Sequence, residues 1–237
     1  MPDSVAWEAN GGKSRAERAS GDRGTLAVIL PRSESRLALA RGRRSVDDRR
    51  MTQAQTILVP LAPGFEEIEF VTIVDVLRRA DLDVTVAGLV RGVVTGAHDV
   101  AITPDAYLGD IDLDRFTMIV LPGGQPGTRN LAKDERVLGV VRRLAKSGSI
   151  TAAICAAPKV LHAAGILEGV EVTAHSSVRG DLTGAIVKTE PRTVTCGPVV
   201  TSQGAGTAME FALTLVAILR GDAKANELGR AMVVPRG

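Results

Sequence analysis

Cysteine, histidine and aromatic residues are scarce in this sequence. Its 237 residues include two cysteines, three histidines, one tryptophan, one tyrosine and four phenylalanines. Two cysteines, Cys155 and Cys196, are too few for a disulfide framework, and no secretory apolar segment precedes them. A reducing compartment is therefore the default, and we expect a cytoplasmic protein. No apolar run approaches the ~18 residues of a membrane span. With aromatics at 3% and hydrophobic residues at 45%, the apolar content is mostly Ala, Val, Leu and Ile. That is the composition of buried parallel strands covered by helices. Nor is there an excess of charge. Residues 1–50 carry ten arginines and one lysine against seven acids, whereas the remainder carries eighteen bases and twenty acids. Nothing in that mildly acidic remainder suggests a nucleic-acid partner.

Residues 1–54 show no sustained hydrophobic period and contain Gly11-Gly12 and Arg41-Gly42-Arg43-Arg44. They read as a disordered extension. An organelle transit peptide is the alternative, but seven acids argue against it. Met51 lies just before the first strand and would serve as the native start.

Residues 55–237 read as one domain in which strand and helix alternate. The expected strands are Thr56 to Leu61, Asp83 to Leu89, Phe116 to Leu121, Ile150 to Ile154, Val170 to Ala174, Ala185 to Thr189 and Val199 to Ser202, with a short extended piece at Asp99 to Thr103. Helices are expected from about Phe65 to Ala80, between Gln125 and Lys146, and from Pro158 to about Ala164. Two more are expected from Phe211 to Leu219 and from Ala223 to Val234. Thr207 and Glu210 have the spacing of a capping box. This alternation predicts an α/β, flavodoxin-like, doubly wound and mostly parallel sheet with helices on both faces. Ligands of such sheets bind beyond the carboxyl ends of the strands.

Cys155 sits at such an end. Ala153-x-Cys155-x-Ala157 places small residues two positions either side, the pattern of a tight strand-to-helix turn that pushes the central side chain outward. Pro158 opens the next helix, where its missing N–H costs little. A helix N-terminus moves a thiol from about 8.5 into the range ~3.5–7.5, so a reactive thiolate is expected. The alternative is an inert cysteine packed as a small hydrophobe.

Three further features belong at the same edge. Pro122-Gly123-Gly124 follows a buried strand, and the N–H groups of Gly123 and Gly124, with that of Ala156, are candidate oxyanion donors; the bland reading is an ordinary turn. Glu66 and Glu67 suit the first turn of a helix and need no function. Glu69, among Ile68, Phe70 and Val71, is either on a narrow polar strip or buried with a raised pKa. If buried beside Cys155, it keeps its proton and donates to the sulfur. His175 ends the segment Val172-Thr173-Ala174, whereas His162 reads as a surface residue.

These residues resemble the DJ-one/ThiJ/PfpI superfamily, in the branch of the Parkinson-disease-associated protein deglycase and bacterial YajL. The matching pieces are Leu61 to Glu69, Asp75 to Ala80, Val84 to Leu89, Val120 to Gly124, Ala152 to Pro158, Val172 to His175 and Thr201 to Thr207. The resemblance implies a flavodoxin-like homodimer without cofactor or metal. Cys155 falls on the reactive nucleophile, easily oxidised to a sulfinate, Glu69 on the protonated acid, His175 on the pocket histidine, and Gly124 and Ala156 on the backbone donors. It further implies a glutathione-independent glyoxalase or protein deglycase acting on methylglyoxal, glyoxal or their early adducts. The alternative it implies is an oxidative-stress sensor and chaperone using the same cysteine. Relatives with peptidase activity carry a histidine directly after the cysteine. Here Ala156 stands there, which counts against proteolysis. His98 stands where the branch's best-known member has an arginine that reaches the partner's pocket, so an anion-binding role for this loop is in doubt.

Overall fold

The computed structural model describes residues 55–235. The expected extension over 1–54 lies outside the described residues. The chain opens on β1 (Thr56–Leu61), α1 (Glu67–Arg79) and β2 (Asp83–Gly88). Three two-residue strands follow, β3 (Val94–Thr95), β4 (Ala101–Ile102) and β5 (Ala106–Tyr107). Next come β6 (Met118–Leu121), α2 (Gly127–Leu131), α3 (Glu135–Lys146), β7 (Ile150–Ile154) and α4 (Pro158–Ala163). The chain continues through β8 (Glu171–Val172), β9 (Ile186–Val187), β10 (Thr193–Cys196) and β11 (Val199–Ser202). It closes with α5 (Ala208–Arg220) and α6 (Asp222–Ala231).

The main sheet runs β10-β11-β7-β6-β1-β2-β5, parallel except for the antiparallel β10–β11 pair. Strand alternation sends successive side chains to opposite faces. Ile57, Val59, Val84, Val86, Met118, Val120 and Ile154 pack with Phe70, Ile73, Leu77, Phe211 and Leu215 of α1 and α5. Leu58, Ile119, Leu121 and Ala153 turn the other way, onto Leu131, Val137, Val141, Val160 and Leu161 of α2, α3 and α4. Helices therefore cover both faces, as the alternation predicts. β1 lies mid-sheet: the chain steps outward from it to β2 and β5, then returns to β6 on its other side. The carboxyl ends of β1, β6 and β7 meet at this reversal, where α/β sheets bind ligands.

Besides the unexpected strands β3 and β5, the structure departs from the expected elements in four places. The strand expected over Phe116 to Leu121 begins at Met118, because a 3-10 turn (Leu113–Arg115) precedes it and the Arg143 guanidinium takes the Phe116 carbonyl. Thr193–Cys196, outside the expected strands, is an edge strand folded onto β11 through Gly197-Pro198. The strands expected at 170–174 and 185–189 are two-residue strands pairing only with each other, outside the main sheet. Finally, the capping box at the start of α5 does not form. The Thr207 hydroxyl donates to the Gly204 carbonyl at 2.8 Å, and Glu210 pairs with Arg192.

Candidate active site

β7 ends at Ile154, and Cys155 has φ 63°, a left-handed backbone that costs a non-glycine residue about 1–2 kcal/mol. Two hydrogen bonds hold it there. Its N–H donates to Ser202 O at 2.9 Å, and its carbonyl accepts from His175 N–H at 2.9 Å. Ala156 and Ala157 are buried and Pro158 begins α4, so small residues flank the turn as the sequence pattern requires. The thiol is half-buried, neither sealed nor fully exposed.

Glu69, in the first turn of α1, has no exposed surface. Glu66, the N-cap, fixes the start of that helix by accepting from Glu69 N–H at 2.7 Å. The Glu69 carboxyl points at the β6–β7 edge. Its Oε2 accepts from Gly123 N–H at 2.8 Å, the Cys155 thiol is in hydrogen-bond reach, and Oε1 is otherwise unpartnered. Gly123 is thus tied to the carboxyl. The expectation that its N–H is a free oxyanion donor is corrected, because that donor is spent on Glu69. The N–H groups of Gly124 and Ala156 do face the Cys155 sulfur.

Burial, and then the Glu66 charge, push the Glu69 carboxyl up to about 7, against the opposing bonds from Cys155 and Gly123. Burial also pushes the Cys155 thiol up, to about 12; the ionised Glu69 carboxylate adds to the rise, and the N–H groups of Ala156 and Gly124 oppose it. Burial and the Glu69 charge thus act against the low-pKa thiolate expected from the helix N-terminus. α4 is only six residues long, and desolvation and the neighbouring carboxylate oppose the pull of its N-terminus on the thiolate. Groups this close titrate as a pair, and between the two values the pair holds one proton.

His175 arrives from beyond β8 rather than from a main-sheet strand. Its Nδ1 accepts from Ser177 N–H at 3.3 Å and meets Ser177 Oγ at 2.8 Å, which leaves Nε2 as the protonated ring nitrogen. The imidazole and the sulfur border one space: a Cβ added at Gly204 would lie 3.6 Å from His175 Cδ2 and 3.9 Å from Cys155 Sγ. His162 bonds Thr183 at the surface, as its pattern suggests.

Glu67 is not the idle helix-start acid of the sequence reading. It is almost fully buried and accepts from His98 N–H at 2.5 Å and from His98 Nδ1 at 2.9 Å, which ties the β3–β4 hairpin to α1. Burial opposes the Glu67 charge, but the His98 bonds win and hold its carboxyl below the usual range, and the His98 imidazole is raised in return. Ligand atoms of Glu66, Glu67 and His98 lie within 4.8 Å of one another, spacing that suits a cation. The bonds to Glu69 N–H and His98 already engage both carboxylates. A cavity of about 730 Å³ opens at the opposite, amino-terminal edge of the strands, beside Arg115, Thr117 and Ile150 and away from Cys155. No helix among the described residues is long and apolar enough to cross a membrane.

A mostly parallel α/β sheet with a cysteine in a strained strand-to-helix turn, facing a buried glutamate, defines the class. Residues 55–218 match the model of the DJ-1/PfpI family. The chain belongs to that family. It is 40% identical over 183 residues to the protein dj-1beta of Drosophila melanogaster, covering 76% of this chain and 98% of the fly protein. Identity is 38% over 180 residues to the glutathione-independent glyoxalase DJR-1.2 of Caenorhabditis elegans, covering 75% and 96%. The crystal structure of Drosophila melanogaster DJ-1beta superposes with a TM-score of 0.75 at 38% identity, covering 78% of this chain and all of that one.

Proposed function

We propose that this protein is a cofactor-independent glyoxalase that uses Cys155 as nucleophile on methylglyoxal, glyoxal or their early adducts. The observation that carries the reading is the buried Glu69 carboxyl within hydrogen-bond reach of a thiol whose backbone is held at positive φ. The glyoxalase named in Caenorhabditis elegans supports it at 38% identity.

In this reading sulfur adds to the aldehyde carbon while its proton passes to Glu69, and the carbonyl oxygen becomes an alkoxide facing the N–H groups of Gly124 and Ala156. Glu69 hands that proton on to the alkoxide, which gives the hemithioacetal and frees the carboxylate. With His175 assisting, it then moves a proton from the former aldehyde carbon to the neighbouring ketone carbon through an enediol. The first carbon is oxidised as the second is reduced, which leaves a thioester. Water cleaves the thioester, releases lactate and restores the thiol, so water is the only co-reactant. Exposed Ile68 and Val71 on α1, with Val93 and Val100 flanking the β3–β4 hairpin, offer apolar surface that supports a homodimer.

The test is lactate formation from methylglyoxal without glutathione. Wild type is expected to form it and Cys155→Ala to fall to the uncatalysed rate. Wild-type turnover no higher than that of Cys155→Ala overturns the enzyme reading. It would leave the same atoms to redox sensing, in which Cys155 is oxidised without turnover.

A further inference from the structure

Of the glycines around the sulfur, Gly123 and Gly124 leave no room for a side chain. A Cβ at Gly123 would lie 2.6 Å from Cys155 Cβ and 2.7 Å from Glu69 Oε2. At Gly124 it would fall on the Glu66 backbone nitrogen. Gly204 differs in kind. Its φ of 165° is extended backbone that any residue adopts. A Cβ there would touch only His175 Cδ2 and Cys155 Sγ, both at ordinary van der Waals distance, with nothing else within 4 Å. The space over Gly204 is thus the open gap between the sulfur and the imidazole.

This wall is also fixed. The Thr207 hydroxyl accepts from Gly204 N–H at 3.1 Å, donates to Gly204 O at 2.8 Å, and lies 2.6 Å from the buried Ser202 hydroxyl. The Ser202 carbonyl in turn holds Cys155 N–H. Gly204 therefore cannot swing away from the sulfur without breaking its two bonds to Thr207.

We infer that Gly204 sets the size of the electrophile that reaches Cys155, its missing side chain admitting the carbon substituent next to the attacked aldehyde. Thr207 acts as a positioning residue through it. This rests on the glyoxalase reading for its substrate but not for its gate, since any reagent attacked by the sulfur must pass the same gap.

The experiment compares wild type, Gly204→Ala and Gly204→Val. Alkylation at Cys155 by iodoacetamide and by the bulkier N-ethylmaleimide is followed by peptide mass. Lactate or glycolate formation from methylglyoxal and glyoxal is measured alongside. Each added methyl-sized group should cost about tenfold more for the larger member of each pair than for the smaller. The maleimide-to-iodoacetamide and methylglyoxal-to-glyoxal ratios should therefore both fall in order Gly, Ala, Val. Unchanged ratios in a Gly204→Ala protein with wild-type thermal unfolding overturn the gate, and that variant decides if Gly204→Val fails to fold. If the alkylation ratio shifts while wild type turns over neither aldehyde, the gate stands and the glyoxalase reading falls.

Discussion

Glu69→Gln is expected to lower kcat/KM for methylglyoxal by about 10²–10⁴-fold, the usual contribution of a positioned proton-transfer group. The amide is nearly isosteric, still accepts from Gly123 N–H and still donates to the sulfur, but it neither takes the thiol proton nor carries one between carbons. The same change should stabilise the fold above neutral pH. A carboxyl raised from 4.5 to about 7 gives stability that is fully present below pH 4.5 and lost as pH rises through 7, because the folded state binds its proton more tightly. At about 1.4 kcal/mol per pH unit, the loss amounts to about 3 kcal/mol. The difference in unfolding free energy between variant and wild type should therefore shift by about 3 kcal/mol in favour of the variant between about pH 4 and pH 8. Denaturant titrations at both pH values read it. A difference independent of pH would mean that the Glu69 charge is not buried against the fold, and retained activity would remove it from the chemistry.

Gly124→Ala should be at least as damaging, by another route. Gly124 has φ +92°, and its missing Cβ would fall on Glu66 N and within 2.6 Å of both Gly64 O and Phe65 C. All three neighbours are backbone atoms, so no rotamer change makes room. Left-handed backbone costs about 1–2 kcal/mol and overpacking a further ~1–3 kcal/mol, a large part of a domain's net stability. Relief would require moving the N-cap of α1, and Glu69 moves with it. The expected outcome is a denaturation midpoint lowered by an amount equivalent to about 2–5 kcal/mol, with loss of turnover in whatever remains folded. A variant with wild-type midpoint and activity would show that the β6 loop and α1 are not in tight register.

The parts of the site legible in the sequence were those written in local pattern. Small residues two either side of Cys155 announced the turn, and an acid set in an apolar helix announced the buried Glu69. Buried runs alternating with helical periods announced the parallel sheet. What escaped was long-range. The acceptor role of Glu67 depends on His98, thirty-one residues away, so it read as an acid serving the helix dipole. Gly123 and Gly124 are chemically alike in sequence, and only the arrival of the Glu69 carboxyl separates a spent N–H from a free one. The low thiol pKa expected from a helix N-terminus ignored desolvation, which acts on both members of the pair. Thr207 fitted a capping pattern but serves Gly204 instead. Gly204 lies within the Gln203-Gly204-Ala205-Gly206 turn, and the spacing of that turn gave no sign that it ends over the sulfur.

The claim beneath all of this is that Cys155 and Glu69 share one proton and react as a unit. The direct measurement is the rate of Cys155 alkylation by iodoacetamide against pH, in wild type and in Glu69→Gln. The wild-type rate should rise through about pH 7 as the carboxyl frees a place for the thiol proton. The variant, with no such place and its thiol still raised by burial, should stay slow until well above the ordinary thiol range of about 8.5. Superimposable profiles would contradict the shared proton and leave Cys155 a nucleophile without its acid.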